Sequence, residues 1–448
     1  MLASSAMLDR RQFNAVLLGA PALVAATARA QQAADIDIAI IGAGAAGLVA
    51  AHRAREKGLK ARIFEARNRV GGRIHTDESL GTPFDAGAFY IHFAERNPWK
   101  TIAENLKIDL VDDDTLWGGF NVFRNGQPIP ADERMRRRGA FGRLTAAVEA
   151  ENPGADLSFA EAARRHAPEL EAAAEGMTLL SLGEEAEHVS IRDYQMLDSG
   201  EDFVVPSGYG HLLERYARGL DIALMTPVTE VDSRGPGVRI TGPRGTVTAR
   251  AVVVTVPVSI LQAGGIRFLP DMPEATRTAL DGLRMGALTK VALKVEGNRF
   301  GLSPWTQFFD QGSGTLGADL LNFEFWPFER DLVIVFLGGN FARELSKAGE
   351  AIAVATVRER LVAIMGKEAE KAITGGRLTG WSADPYALGG YSIARPGHAG
   401  ARKALEAPFN GFVYLAGEAN AGTASMTAGG AALAATRVVD DIAARLAR

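Results

Sequence analysis

The sequence contains no cysteine at all. That excludes disulfides, thiolate metal sites, a cysteine nucleophile and a thioether link to any cofactor. Positive charge is not in excess either: 49 Lys and Arg stand against 53 Asp and Glu, a formal net charge of −4. An acidic chain has no general attraction for nucleic acid, so no such partner is expected. The one basic run, from Arg134 to Arg143, reads as the solvated face of a helix. Low-complexity blocks and internal repeats are missing too. The seven histidines show no metal-ligand spacing, so no metal is expected. Beyond residue 30 no apolar run approaches the ~20 residues that span a bilayer. No stable membrane association is therefore expected once the first 30 residues are removed.

Those residues have their own pattern. Met7 to Ala30 holds the pair Arg10 and Arg11, an apolar stretch diluted by Gly and Ala, and a small-x-small ending at Ala28, Arg29 and Ala30. This is the form of a twin-arginine export signal, which implies a periplasmic destination in a bacterium; a Sec-type leader or uncleaved anchor is the alternative. The remainder is ordinary globular sequence, 47% hydrophobic and 23% charged, and 448 residues allow two or three domains.

The most informative stretch begins at Ile36. A short apolar strand to Ile41 is followed by Gly42, Gly44 and Gly47 in a G-x-G-x-x-G turn, with Ala46 inside it. A helix then runs to Gly58, a C-terminal cap position, and Ala61 to Glu65 forms a second strand. The glycines permit a tight turn, close approach of a pyrophosphate and close helix–strand packing, while the helix N-terminus attracts the anion. Glu65, 18 residues after Gly47, is placed to bind a ribose hydroxyl pair. After it come Arg67, then Gly71, Gly72 and Arg73. A simple nicotinamide site has no need of that second glycine pair, whereas an extended FAD can use its backbone and the charge of Arg73.

Here the sequence resembles the FAD-dependent amine oxidases, the monoamine and polyamine oxidases and their relatives, from residue 36 to the C-terminus. Two further segments carry the resemblance: residues 224–261, with Val228, and residues 411–446, with Gly417, Glu418, Thr427 and Ala428. The resemblance implies an α/β fold. A Rossmann-like FAD-binding domain (34–108, 204–280 and 384–448) would interleave with an α+β substrate-binding domain (109–203 and 281–383). It also implies that the backbone of Val228 meets the adenine and that Glu418 faces the ribityl-pyrophosphate region. A helix starting near Thr427 and Ala428 would aim its N-terminus at the flavin ring, where charge grows on reduction. Ser158 and Glu161 have capping-box spacing at another helix start.

On the substrate side, Gly87, Ala88, Tyr90, Ile91, His92, Asn97 and Pro98 match the polyamine-oxidase form of the motif. That match places Gly87 and Ala88 at the cofactor and His92 in a substrate tunnel. Trp381 belongs to the cofactor side, and Tyr391 would form one wall of an aromatic cage before the flavin. Gly390 stands where monoamine oxidases carry a flavin-linking cysteine, so FAD is expected to be non-covalent. Thr427 replaces the second cage wall, which leaves room for an aliphatic or longer substrate.

Lys290 is ambiguous from its strand alone. Val291, Leu293 and Val295 alternate with Lys290, Ala292 and Lys294, the usual pattern of a half-buried strand whose lysines face water. The resemblance assigns Lys290 to the active site instead, holding a water near the flavin, and leaves Lys294 exposed. The resemblance implies oxidation of an aliphatic amine of polyamine type to an imine and aldehyde, with dioxygen or another redox acceptor taking the electrons. Glu184, Glu185, Glu187, Asp193, Glu201 and Asp202 are candidates to bind a distal substrate charge, or are simply surface acids. Rival readings are an L-amino-acid oxidase, which needs a cationic clamp for the carboxylate, an alicyclic-amine dehydrogenase, and a flavin-binding protein without turnover. Oligomeric state is not legible in the sequence.

Overall fold

Ile36–Ile41 is apolar except for Asp37 and is buried along nearly all its length, as a strand covered on both faces must be. In the computed structural model, which describes residues 34–150, 154–312 and 318–447, it lies between Ala61–Phe64 and Gly245–Val254, parallel to both. The export signal, with Arg10 and Arg11, lies outside the described residues. Ile222–Ala223 extends the sheet beyond Ala61–Phe64, and Val413–Leu415 pairs in parallel with Val252–Val254. Val238–Gly242, Glu230–Asp232 and Arg267–Leu269 complete eight strands.

Helices Ala45–Glu56 and Ala428–Leu446 share one core on this sheet, built around Leu48, Val49, Val438 and Val439. The first helix stops where Gly58 takes φ +72°, and the Leu59 amide donates back to the Ala54 carbonyl at 2.9 Å. Both helices start at the same edge of the sheet, and that places two N-termini over one cavity.

A second sheet has seven strands in the order Ile373–Leu378, Thr289–Val295, Leu332–Leu337, Leu321–Phe325, Thr306–Asp310, Phe120–Arg124 and Gln127–Pro128. Val291, Leu293, Phe323 and Val335 on one face form a core with Ala342, Ala353 and Val357 of helices Gly339–Ala348 and Glu350–Met365. The other face is covered as well. Ala292 and Ile334 pack there with Phe84 and Ala86, so alternation in Thr289–Val295 does not mean water on one side. Lys294 remains partly exposed and pairs with Glu296 at 3.1 Å.

Helices Ala131–Ala150, Phe159–His166, Glu171–Ser181 and Ile191–Gln195 form a third packed unit around Leu144, Phe159, Leu170 and Ile191. Ser158 caps the second of them, its Oγ accepting from the Glu161 amide at 3.1 Å. The Glu161 carboxylate turns to Arg165 at 3.4 Å instead of returning to the cap, so the expected box is half formed. Among the described residues no helix is long and apolar enough to cross a membrane.

Candidate active site

Where the two sheets and the helical unit meet there is a cavity of about 1220 Å³. Its size exceeds the ~300–1,000 Å³ of ordinary small-molecule sites. One half is lined by the glycine-rich segments and the other by the second sheet and the helices.

The first half fits an extended dinucleotide. Gly42 has φ +109°, and a β-carbon on Gly47 would fall 1.8 Å from the Gly42 carbonyl oxygen, so no larger residue closes this turn. Gly47 thus serves helix–strand packing and does not line the cavity, whereas Gly42, Gly44, Ala46, Gly71, Gly72 and Ala88 do. A β-carbon on Gly87 would sit 1.7 Å from the Arg73 carbonyl oxygen. Glu65 is buried, with one carboxylate oxygen accepting from the Ala43 amide (2.7 Å) and the other from the Arg67 amide (2.8 Å). This fixes its remaining lone pairs towards the cavity wall, where a hydroxyl pair can donate.

Arg67 makes a forked pair with Asp384 at 2.9 and 2.6 Å. Arg73 donates to the Gly390 carbonyl (2.7 Å) and to Glu418 (3.1 Å). Glu418 in turn accepts from Ser392, by its amide at 3.2 Å and its hydroxyl at 2.7 Å. Trp381 lines the same half, its indole N–H donating to the Ala86 carbonyl at 2.8 Å. Gly417 and Ala428 lie there too, and Thr427 is the N-cap of the last helix, accepting from the Gly430 amide at 2.9 Å. Val228 is the exception: it is buried and is not among the residues lining the cavity.

Lys290 lies between the halves. Its ammonium donates to the backbone carbonyls of Asp85 (2.7 Å) and Gly87 (2.8 Å). The Phe89 and Phe336 ring centroids stand 5.3 and 5.2 Å away. An ammonium has three donors, so one remains for a water or ligand in the cavity. Burial pulls its pKa down to about 8, against the opposing charges of Asp85 and Glu324.

The second half contains Tyr391, whose hydroxyl donates to the Ser181 carbonyl at 2.7 Å and so fixes the ring against the helical unit. Burial, with Glu418 adding to it, holds that hydroxyl above its ordinary pKa, so it stays a neutral donor. His92 also lines this half and meets Asp202 at 2.9 Å through Nδ1.

Of the six acidic candidates only Asp202 lines the cavity. Glu184 and Asp193 are neither tunnel nor surface acids. Glu184 is fully buried and accepts from Arg284 (2.7 Å) and Arg343. Burial would raise its pKa, but the Glu185 contact and the two arginines outweigh that and hold it at about 2. Asp193 receives both arms of the buried Arg402 at 2.7 and 2.9 Å. Glu184, Glu185 and His188 are close enough to share a cation, yet the two guanidinium groups already neutralise them.

Sequence reasoning missed Glu324. It is only 4% exposed and lines the cavity beside Asn322 and Gln307, and among the described residues its carboxylate makes no hydrogen bond or ion pair. Burial raises its pKa to about 7, Lys290 works against that, and Asp113 adds to it. A lone acid inside the strand Leu-Asn-Phe-Glu-Phe was the available signal.

The profile of the family described as flavin containing amine oxidoreductase matches residues 45–443. Lysine-specific histone demethylase 2 of Homo sapiens is 29% identical over 91% of this chain and 53% of its own length. The chain therefore spans about half of that relative. A probable polyamine oxidase of Arabidopsis thaliana is 28% identical over 79% of this chain and 76% of its own. Among solved structures, cyclohexylamine oxidase of Brevibacterium oxydans superposes with a TM-score of 0.74, at 20% identity, over 92% of this chain and all of that one. A redesigned putrescine oxidase gives the same score and identity over 92% and 99%. These two likenesses are of fold.

Proposed function

The chain belongs to the flavin-containing amine oxidoreductases, and from that premise we propose that it oxidises an aliphatic polyamine or its N-acetyl form. The product imine hydrolyses to an aldehyde and an amine, and dioxygen is reduced to hydrogen peroxide. FAD supplies the two-electron oxidation of the C–N bond.

The observation that carries the substrate class is the charge of the substrate half. It holds Glu324 and Asp202, while the only guanidinium groups lining the cavity among the described residues are Arg67 and Arg73. Both belong to the cofactor half and are already paired with Asp384 and Glu418. Among the described residues lining the cavity no unpaired guanidinium is left to clamp a carboxylate, which disfavours the amino-acid oxidase reading. The polyamine oxidases among the relatives favour the same class by name.

Each residue then has a task. Tyr391 orients the substrate nitrogen against its ring face. Lys290 uses its remaining N–H to hold a water at the reacting end. His92, polarised by Asp202, accepts a proton or hydrogen bond from an amine further along the cavity. His92→Ala should reduce kcat/KM for spermidine by about 10-fold or more, in the range of one lost polar contact to a charged group, without changing FAD content. Bleaching of the flavin by amino acids alone, in anaerobic mixing, would refute the assignment.

FAD is held without a covalent bond in this reading. Acid precipitation should leave the yellow colour in the supernatant; colour that stays in the washed pellet contradicts it.

A further inference from the structure

We propose that Phe89 and Phe336 are positioning residues for the reaction: their ring faces keep Lys290 an ammonium, with its third N–H held ready in the cavity. This rests on the reading of Lys290 given above and adds the groups that maintain it. Lys290 is 6% exposed, and a buried charge is ordinarily matched by an opposite one in contact. Among the described residues Asp85 and Glu324 are the charged groups that act on it, and neither makes an ion pair with it. The Asp85 carboxylate accepts from the Thr76 hydroxyl (2.6 Å) and the Tyr209 amide (3.0 Å) instead. Arg330 is drawn to that same carboxylate. Arg377, opposite Ala292 on the neighbouring strand, turns to Asp77 and Glu350. Strand Leu332–Leu337 and the segment from Thr379 to Trp381 are uncharged. The neighbours left to hold the ammonium are two carbonyls and two rings.

These two kinds of neighbour act differently. The carbonyls accept from an ammonium or from a neutral amine alike, since either has two N–H groups to give. A ring face tells the two apart. Its quadrupole attracts a cation, most strongly where water is excluded. A neutral amine would turn a lone pair into the cavity where the ammonium turns an N–H. Burial favours the amine, and the rings oppose it.

The fold brings both rings there by short routes. Phe336 is directly paired with Lys290 on the adjacent strand, so the two side chains rise from one face of the sheet. Phe89 follows Gly87 by two residues, and one short segment thus supplies both carbonyls and a ring. That ring packs edge-on against Tyr90, centroids 4.9 Å apart, and is backed by Trp305 and Phe328 at 6.3 Å each. Both rings line the cavity.

The test measures the protonation of Lys290 directly, in FAD-loaded enzyme whose lysines carry carbon-13 at Cε. The Lys290 resonance is the one lost in Lys290→Met, and its shift is followed against pH. Phe336→Leu keeps an apolar side chain and removes the ring face, so the midpoint should fall by about one pH unit. Phe89→Leu should move it the same way, so loss of fold in one variant leaves the other to decide. Phe336→Tyr retains the face and should titrate with the wild type. A midpoint unchanged or raised in the leucine variants overturns the proposal, as does a fall in Phe336→Tyr equal to that in Phe336→Leu. Rapid mixing across the same pH range then follows whichever half-reaction Lys290→Met slows. Its rate should drop as pH rises through the midpoint, and in Phe336→Leu that drop should come at correspondingly lower pH. If the midpoint moves and neither half-reaction follows it, the rings hold the ammonium as proposed and the placing of Lys290 at the reacting end is what fails.

Discussion

Lys290→Met should slow flavin reduction by amine, flavin reoxidation by dioxygen, or both, by more than ten-fold while FAD stays bound. Methionine preserves length and apolar packing but removes all three N–H donors. Two of them serve the Asp85 and Gly87 carbonyls, and the third faces the cavity. A group that positions water or moves a proton contributes typically ~10²–10⁴-fold, about 3–5 kcal/mol of barrier. A lysine on a solvated strand face would give a different result: stability changed by no more than ~0.5 kcal/mol and both half-reactions intact. Burial of Lys290 already argues against that outcome. Rapid mixing, without oxygen for reduction and with it for reoxidation, measures the two steps separately. Wild-type rates in both would remove Lys290 from the chemistry.

Arg402→Met should be among the most destabilising single changes in the chain. Its guanidinium makes two bonds to Asp193, one to the Ser392 hydroxyl at 2.7 Å and one to the Ser392 carbonyl at 2.9 Å. Both charged groups are nearly inaccessible to solvent. Removing one member of a buried pair strands the other, a loss of about 3–5 kcal/mol. The damage should also reach the cofactor, because the same Ser392 holds Glu418, and Glu418 holds Arg73. Flavin fluorescence released on heating reports both effects, and the midpoint should fall for the holoenzyme. Asp193→Leu combined with Arg402→Met should recover part of the loss, since no orphan charge remains. A single variant within ~1 kcal/mol of wild type would show the pair to be dispensable.

The cofactor half was legible in the sequence because its signals are local. The glycines from Gly42 to Gly47 and the acid at Glu65 act within one strand–turn–helix–strand, and the Thr427 cap acts within three residues. Lys290 needed more: its strand reads as half-buried, and only the fold's placement of Phe84 and Ala86 closes the second face. The acids were misread for the same reason. Glu184 and Asp193 look like surface charges because their arginines lie 100 and 209 residues away. Glu324 drew no notice because a sheet's register, not its spacing in the chain, turns it towards Lys290. Long-range pairing is where single-sequence reasoning loses its footing.

The central strand Gly245–Val254 has consequences before the protein is ever finished. It pairs on one side with Ile36–Ile41 and, along Val252–Val254, with Val413–Leu415. At ribosomal speeds of ~5–20 residues per second, the last of these strands follows the central one by roughly 8–30 s. Throughout that interval the nascent chain presents an open parallel edge of consecutive valines, a template for any passing β-strand. Glu418 and the N-terminus of Ala428–Leu446 are still unmade, so half of the cradle does not yet exist. Flavin capture is thereby deferred until these last residues have been made.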